Sequence, residues 1–261
     1  MTDLPVALSI AGSDSGGGAG VQADLLTFAA NGVFGTTAIT CLTAQNPDGV
    51  SGVVAIEPEF VTEQARQVFR FFEVRAVKTG MLFNAPIIAA VAELLRERRQ
   101  IPVVVDPVMV ATSGAVLLES EAVATVGEQL FPLAALVTPN LDEAAVLIGR
   151  RPGDEAAMRV AALELARRFG VPFLLKGGHL GGEELVDVLA LPDGGTERWA
   201  GSRVFGVDTH GSGCTLSSAI AAHLALGRPL VEAVAAGREY LRRGLERGVV
   251  LGNRKFIAHL V

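Results

Sequence analysis

Two cysteines, Cys41 and Cys214, are too few for a disulfide framework in 261 residues. The opening M-T-D-L-P-V-A-L-S-I-A-G has no basic stretch and is broken by Asp3 and Pro5, so no signal peptide is expected. No apolar run approaches the ~18 residues of a membrane span. Net charge is −6 at pH 7, and no basic stripe marks a nucleic-acid partner. The Arg-rich pieces, Arg96–Arg99 and Arg242–Arg247, fall on predicted helices and read as solvated faces. Repeats, low-complexity tracts and Pro/Ser-rich linkers are also missing. These absences leave a cytoplasmic protein built as one domain over residues 1–261.

What is present is apolar material in a regular order. Half the residues are hydrophobic and 19% are charged, enough for a large core. Runs at 6–10, 36–43, 76–78, 103–105, 136–138 and 173–176 read as strands bounded by Gly, Pro, Asn or Asp. Helical spacing separates them: Val61, Ala65, Val68, Phe69 and Phe72, then Ile87, Ile88, Val91, Leu94 and Leu95, then Leu163, Ala166 and Phe169. Strands apolar on both faces alternating with amphipathic helices predict an α/β fold with a mostly parallel sheet covered on both sides. Residues 185–191 and 197–204, joined across P-D-G-G, predict an antiparallel hairpin.

Ligands of such sheets sit beyond the strands' C-terminal ends, and the informative residues follow the strand runs. After the first comes A-G-S-D-S-G-G-G-A-G-V-Q-A-D (residues 11–24), with five glycines between Gly12 and Gly20. It lacks the G-K-[ST] ending of a P-loop. It also fails G-x-G-x-x-G, since Gly16 and Gly18 lead to Val21, and Gly18 and Gly20 lead to Ala23. The loop still offers backbone N–H groups to a ligand. Asp24 follows in the first turns of the next helix, where an acid also complements the helix dipole.

A second small-residue loop, D-T-H-G-S-G-C-T-L-S-S-A-I-A-A-H (208–223), runs straight into a helix. Gly211, Ser212, Gly213 and the N–H of Cys214 point there at one spot backed by the positive helix end, an anion hole. A thiol at such a terminus is expected to have a lowered pKa, whereas Cys41 inside an apolar strand reads as core. Asp106, Asn140 and Glu143 stand at strand ends, where their oxygens suit Mg²⁺ through water. Asp before Pro also forms turns, and Glu after Asn-x-x also caps helices. Lys176 in a buried strand needs a partner, and a phosphate would serve. Met81 is either a pocket wall or core. His179 and His210 lie in loops near the site, and no two histidines share a zinc spacing.

Taken together, these stretches with T-A-Q-N, V-K-T-G-M-L, V-V-D-P-V-M-V, T-P-N-L-D-E-A and K-G-G-H resemble the hydroxymethylpyrimidine/phosphomethylpyrimidine kinases of thiamine biosynthesis. That family is a branch of the ribokinase-like superfamily, and the matches run in order over nearly the whole chain. The resemblance implies a three-layer α/β/α sandwich that uses ATP and Mg²⁺. It would phosphorylate 4-amino-5-hydroxymethyl-2-methylpyrimidine to the monophosphate and then the pyrophosphate, as a homodimer. It implies that Gly12, Asp24, Gln45, Met81 and Val108 line the pyrimidine pocket and that Gly211, Ser212 and Gly213 form the anion hole. Cys214 would occupy the catalytic-base position, Lys176 and Asn140 would meet ATP phosphate, and Asp106 and Glu143 would organise Mg²⁺. The chain reads G-S-G-C where G-T-G-C is usual, which keeps the hydroxyl. The alternatives are a pyridoxine/pyridoxal kinase of the same lineage, a nicotinamide-dependent oxidoreductase, and a non-catalytic pyrimidine-binding protein.

Overall fold

The computed structural model describes residues 4–109, 120–178 and 180–260, with the side chain of residue 120 left out. A nine-stranded sheet runs through it. Its members are β1 (Val6–Asp14), β2 (Phe34–Asn46), β3 (Gly49–Ala55), β4 (Val74–Thr79), β5 (Val103–Val105), β6 (Leu136–Val137), β7 (Phe173–Lys176), β8 (Glu184–Ala190) and β9 (Thr196–Ser202). The spatial order is β3-β2-β1-β4-β5-β6-β7-β8-β9. The six strands from β2 to β7 pair in parallel, while β3 at one edge and β8–β9 at the other are antiparallel. The hairpin expected near 185–204 is β8–β9. A separate ribbon of β10 (Val249–Leu251) and β11 (Arg254–Phe256) closes the chain.

The helices are α1 (Gly20–Ala30), α2 (Pro58–Phe71), α3 (Ala85–Arg96), α4 (Ser120–Thr125), α5 (Leu141–Ile148), α6 (Glu155–Phe169), α7 (Ser212–Ala225) and α8 (Leu230–Arg247). Their ends follow local chemistry. Asn84 and Asp154 accept from the third helical N–H of α3 and α6, and Gly149 and Gly170 close α5 and α6 at left-handed φ of 74° and 71°.

The strand period of two divides the core between the two faces of the sheet. Leu8, Ile10, Val103, Val105, Val137, Phe173 and Leu175 pack on one side with the apolar stripes of α2, α3 and α6. Ala7, Val104, Leu136 and Leu174 pack on the other with Phe28, Leu216, Ile220, Ala233 and Val234, from α1, α7 and α8. This is the expected α/β/α sandwich. Helix α7 is buried from Thr215 to His223, so its N-terminus is pressed against the C-terminal edge of the parallel strands. Among the described residues no helix is long and apolar enough to cross a membrane.

Candidate active site

Helix α7 begins with Ser212 at its first position, after Gly211 at φ 80° and ψ 0°. The N–H of Ser212 donates to the carbonyl of Thr209 at 3.0 Å. The N–H groups of Gly213 and Cys214 come next, too early in the helix for an intrahelical acceptor. Of the amides expected to form an anion hole, the Ser212 N–H is thus committed to Thr209.

A charged cluster stands against them. A β-carbon added to Gly213 would lie 3.4 Å from both Asp106 Oδ2 and Lys176 Nζ. Lys176 is half-buried, and its Nζ is 3.1 Å from Asp106 Oδ1, so the partner this lysine requires is a carboxylate. Burial opposes its charge, but Asp106 and then Glu143 hold its pKa above the ordinary value. Asn140 and Glu143 form a complete capping box on α5. Asn140 Oδ1 accepts from the N–H groups of Asp142 and Glu143, and Glu143 Oε2 accepts from the N–H of Asn140 at 2.8 Å. The capping alternative thus accounts for both residues structurally. Glu143 is 3% exposed, and burial pushes its pKa up to about 7, with Asp106 adding to the rise and Lys176 opposing it.

Asp24 is corrected from pocket wall to foundation. It is fully buried. Its oxygens take Lys78 Nζ at 2.8 Å each, Ser9 Oγ at 2.5 Å and Ser218 Oγ at 2.7 Å. Nothing of it remains to meet a ligand. The neighbour of Ser218 in α7, Ser217, reaches the other buried acid, with Oγ 3.3 Å from Asp106 Oδ2. Consecutive serines of α7 thus grip two carboxylates, one from α1 and one from the end of β5. Cys214 sits one turn earlier, and its pKa is pushed up to about 11 rather than lowered. Burial is the main cause and Lys78 opposes it; Asp24 and Asp106 raise the value further, and the N–H of Gly20 opposes. The helix terminus alone does not govern this thiol.

The opening loop folds against β2 and the α7 loop. A β-carbon on Gly12 would come 2.8 Å from Cys41 Sγ and 3.8 Å from Met81 Cβ, so the three meet as one wall. Cys41 is buried core. Thr40 Oγ1 donates to the Met81 carbonyl at 2.6 Å. Val108 follows Asp106 and Pro107 with φ 23°, an unusual backbone for a β-branched residue. Gly211 packs so closely on the opening loop that a β-carbon would fall 1.8 Å from the Gly18 carbonyl oxygen. His210 Nε2 reaches Asp14 Oδ2 at 3.0 Å and lies 3.2 Å from Gln45 Nε2. The structure therefore gathers Gly12, Gln45 and Met81 on one side, and Asp106, Asn140, Glu143 and Lys176 on the other. The α7 loop lies between. His179 lies outside the described residues.

Sequence reasoning missed Lys78, Ser217, Ser218 and the His210–Asp14 contact. Lys78 carried the signal used for Lys176, a lysine among apolar residues of an inner strand.

With this geometry in hand, comparison with known proteins is specific. A family model described as phosphomethylpyrimidine kinase matches residues 14–259. The hydroxymethylpyrimidine/phosphomethylpyrimidine kinase of Rhizobium meliloti is 52% identical over 242 residues, covering 92% of this chain and 90% of that protein. A thiamine biosynthesis bifunctional protein of Geobacter sulfurreducens is 49% identical over 246 residues, covering 94% of this chain; the chain spans 50% of that relative's length. Among solved structures, an ADP complex of Bacillus subtilis pyridoxal kinase superposes with a TM-score of 0.89 at 34% identity, covering 98% of each chain.

Proposed function

Since the chain belongs to the phosphomethylpyrimidine kinase family, we propose that it transfers the γ-phosphoryl group of ATP to 4-amino-5-hydroxymethyl-2-methylpyrimidine and then to the resulting monophosphate. The observation that carries this reading is the seam between the two glycine loops. It sets an acceptor wall directly beside the Gly213–Cys214 amides and the Asp106–Lys176 pair. ATP use is supported by the ADP bound in the B. subtilis kinase.

The flat ring lies against Gly12, Met81 and Val108, with the Gln45 amide meeting its polar edge. The hydroxymethyl oxygen attacks the γ-phosphorus, the bond to the β-phosphate oxygen breaks, and ADP leaves. The hydroxyl proton passes to the thiolate form of Cys214 or to solvent. Negative charge on the transferring oxygens is met by the Gly213 and Cys214 N–H groups and by Lys176. In the second round a phosphate oxygen of the monophosphate is the nucleophile. Asp106 and Glu143 supply oxygens of the kind Mg²⁺ takes. Because Asp106 already meets Lys176, Thr138 and Ser217, retention through water fits better than direct ligation. Bound there, Mg²⁺ would neutralise phosphate charge, and Asn140 would stay in its cap beside the nucleotide.

A coupled ADP-release assay with the alcohol, its monophosphate and pyridoxal tests this. Turnover on both pyrimidines is expected; binding without ADP release would favour a silent pyrimidine-binding protein. A strong pyridoxal preference would favour the second reading, which the B. subtilis kinase supports. Kinase-family membership speaks against the nicotinamide-dependent oxidoreductase. We further propose a single cytoplasmic kinase domain that pairs as a homodimer. The exposed apolar residues Leu42, Val50, Val53 and Val54 on the β2–β3 edge support the pairing. Light scattering should give twice the chain mass of 27.1 kDa; a monomer at micromolar concentration would refute pairing.

A further inference from the structure

His210 touches both Asp14 of the opening loop and Gln45 of the acceptor wall, and no step described above uses it. Around Gln45 the backbone is pinned. Its N–H donates to Ser15 Oγ at 2.8 Å, and its carbonyl accepts from that hydroxyl at 2.7 Å. Only the direction of the side-chain amide remains to be decided, and its two ends have fixed neighbours.

At one end Thr43 Oγ1 stands 2.8 Å from the Ser13 carbonyl oxygen and 3.2 Å from Gln45 Oε1. A hydroxyl has a single proton and a carbonyl can only accept, so that proton goes to Ser13. Toward Gln45, Thr43 offers lone pairs. At the other end His210 Nε2 stands between Asp14 Oδ2 and Gln45 Nε2. Asp14 also accepts from the N–H groups of Gly16 at 2.8 Å and Ala19 at 2.9 Å. Burial alone would raise its pKa, yet His210 and these two amides hold the carboxyl below its ordinary value. Asp14 is therefore an acceptor at neutral pH, and the His210 nitrogen facing it carries a proton.

An amide with its nitrogen toward His210 thus sets donor against donor, and its oxygen toward Thr43 sets acceptor against acceptor. A half-turn of the terminal amide removes both conflicts and moves no other heavy atom. We propose that His210 is a positioning and specificity-determining residue, which through Asp14 holds Gln45 with Oε1 facing His210 and Nε2 facing Thr43. The chain of donation runs from Gln45 Nε2 to Thr43 and on to the Ser13 carbonyl, while the single Nε2–H of His210 is shared, bifurcated, between Asp14 Oδ2 and Gln45 Oε1. One hydrogen on Nε2 and one lone pair on Oε1 remain for the acceptor, in a fixed left-to-right order. A freely turning amide would match either order of donor and acceptor on a flat ring. A pinned one discriminates between them. This inference rests on the placement of Gln45 in the acceptor pocket proposed above.

Two measurements test it. Ring nitrogen-15 NMR of the ligand-free protein, with His210→Phe for assignment, is expected to show His210 Nε2 protonated at neutral pH. A His210 protonated only on Nδ1 would overturn the proposal whatever the enzyme's substrate. In steady-state kinetics, His210→Phe is expected to raise KM for the pyrimidine alcohol ~10-fold while KM for ATP stays within ~2-fold. The preference for the pyrimidine over pyridoxal should narrow with it. His210→Gln, whose amide can donate to Asp14 and to Gln45, is expected to recover much of the loss. Unchanged pyrimidine KM in folded His210→Phe would overturn the proposal. Failure of the wild type on any pyrimidine would instead sink the functional reading and leave the NMR result standing.

Discussion

Cys214→Ala is expected to lower kcat by about a hundredfold, within the span of lost general acid–base assistance, with the pyrimidine KM little changed. The thiol stands at the third position of α7, next to Gly213 and near the Asp106–Lys176 pair. Burial, its main influence, pushes its pKa up to about 11. A pKa raised to that level leaves the neutral thiol dominant through the physiological range, with thiolate growing tenfold per pH unit toward 11. If the thiolate takes the hydroxyl proton, wild-type kcat rises with that slope, and Cys214→Ala loses the slope with the rate. A flat profile means the side chain orients the hydroxyl, since a loose phosphoryl-transfer transition state demands little of a base. Equal steady-state turnover in Cys214→Ala and wild type removes Cys214 from the reaction altogether.

The second large effect concerns stability. Lys78 and Asp24 are both fully buried and paired at 2.8 Å. Burial disfavours the ammonium, but the charge of Asp24, with lesser help from Cys214 and Asp106, holds its pKa above the ordinary value. Asp24→Asn strands that ammonium, and Lys78→Met strands the carboxylate. Each is expected to cost about 3–5 kcal/mol and to lower Tm by roughly 10 °C. The apolar double variant Lys78→Met/Asp24→Leu is expected to regain much of the loss, because no uncompensated charge remains. Differential scanning calorimetry on the three proteins decides. A wild-type Tm in Asp24→Asn combined with weak pyrimidine binding would return Asp24 to the pocket wall. The ammonium's contribution is present below the unfolded lysine pKa of about 10.4 and fades only in strong alkali.

The contrast between these two sites shows what a sequence exposes. Runs such as Val103–Val105 and Phe173–Lys176 were legible as strands because a buried parallel strand must be apolar on both faces. Strand β3 was not, because Gly49–Ala55 is exposed along its whole length and carries two glycines. The α7 loop was legible from local composition alone, since small residues before a helix expose amides. The fate of its groups was not. The Ser212 N–H is taken by Thr209, and the thiol is governed by burial and by charges from Asp24, Lys78 and Asp106, all distant in sequence. Asp24 reads as a pocket residue only through the family resemblance, its own position near the helix start leaving a helix-dipole role open. Lys78 explains it otherwise, through a pairing that only the sheet brings about. Asn140 and Glu143 show a motif whose local meaning, a capping box, is complete before any ligand is considered.

The contact between Gly18 and Gly211 leaves no room for a β-carbon on Gly211, and one on Gly18 would press on the His210 ring at 2.8 Å. Two stretches separated by most of the chain thus share a single thickness of backbone. Neither loop can lengthen, bulge or acquire a side chain at this point without displacing the other. Divergence in acceptor choice, as between pyrimidine and pyridoxal kinases, must then be written elsewhere in the pocket. The seam itself has little freedom to drift.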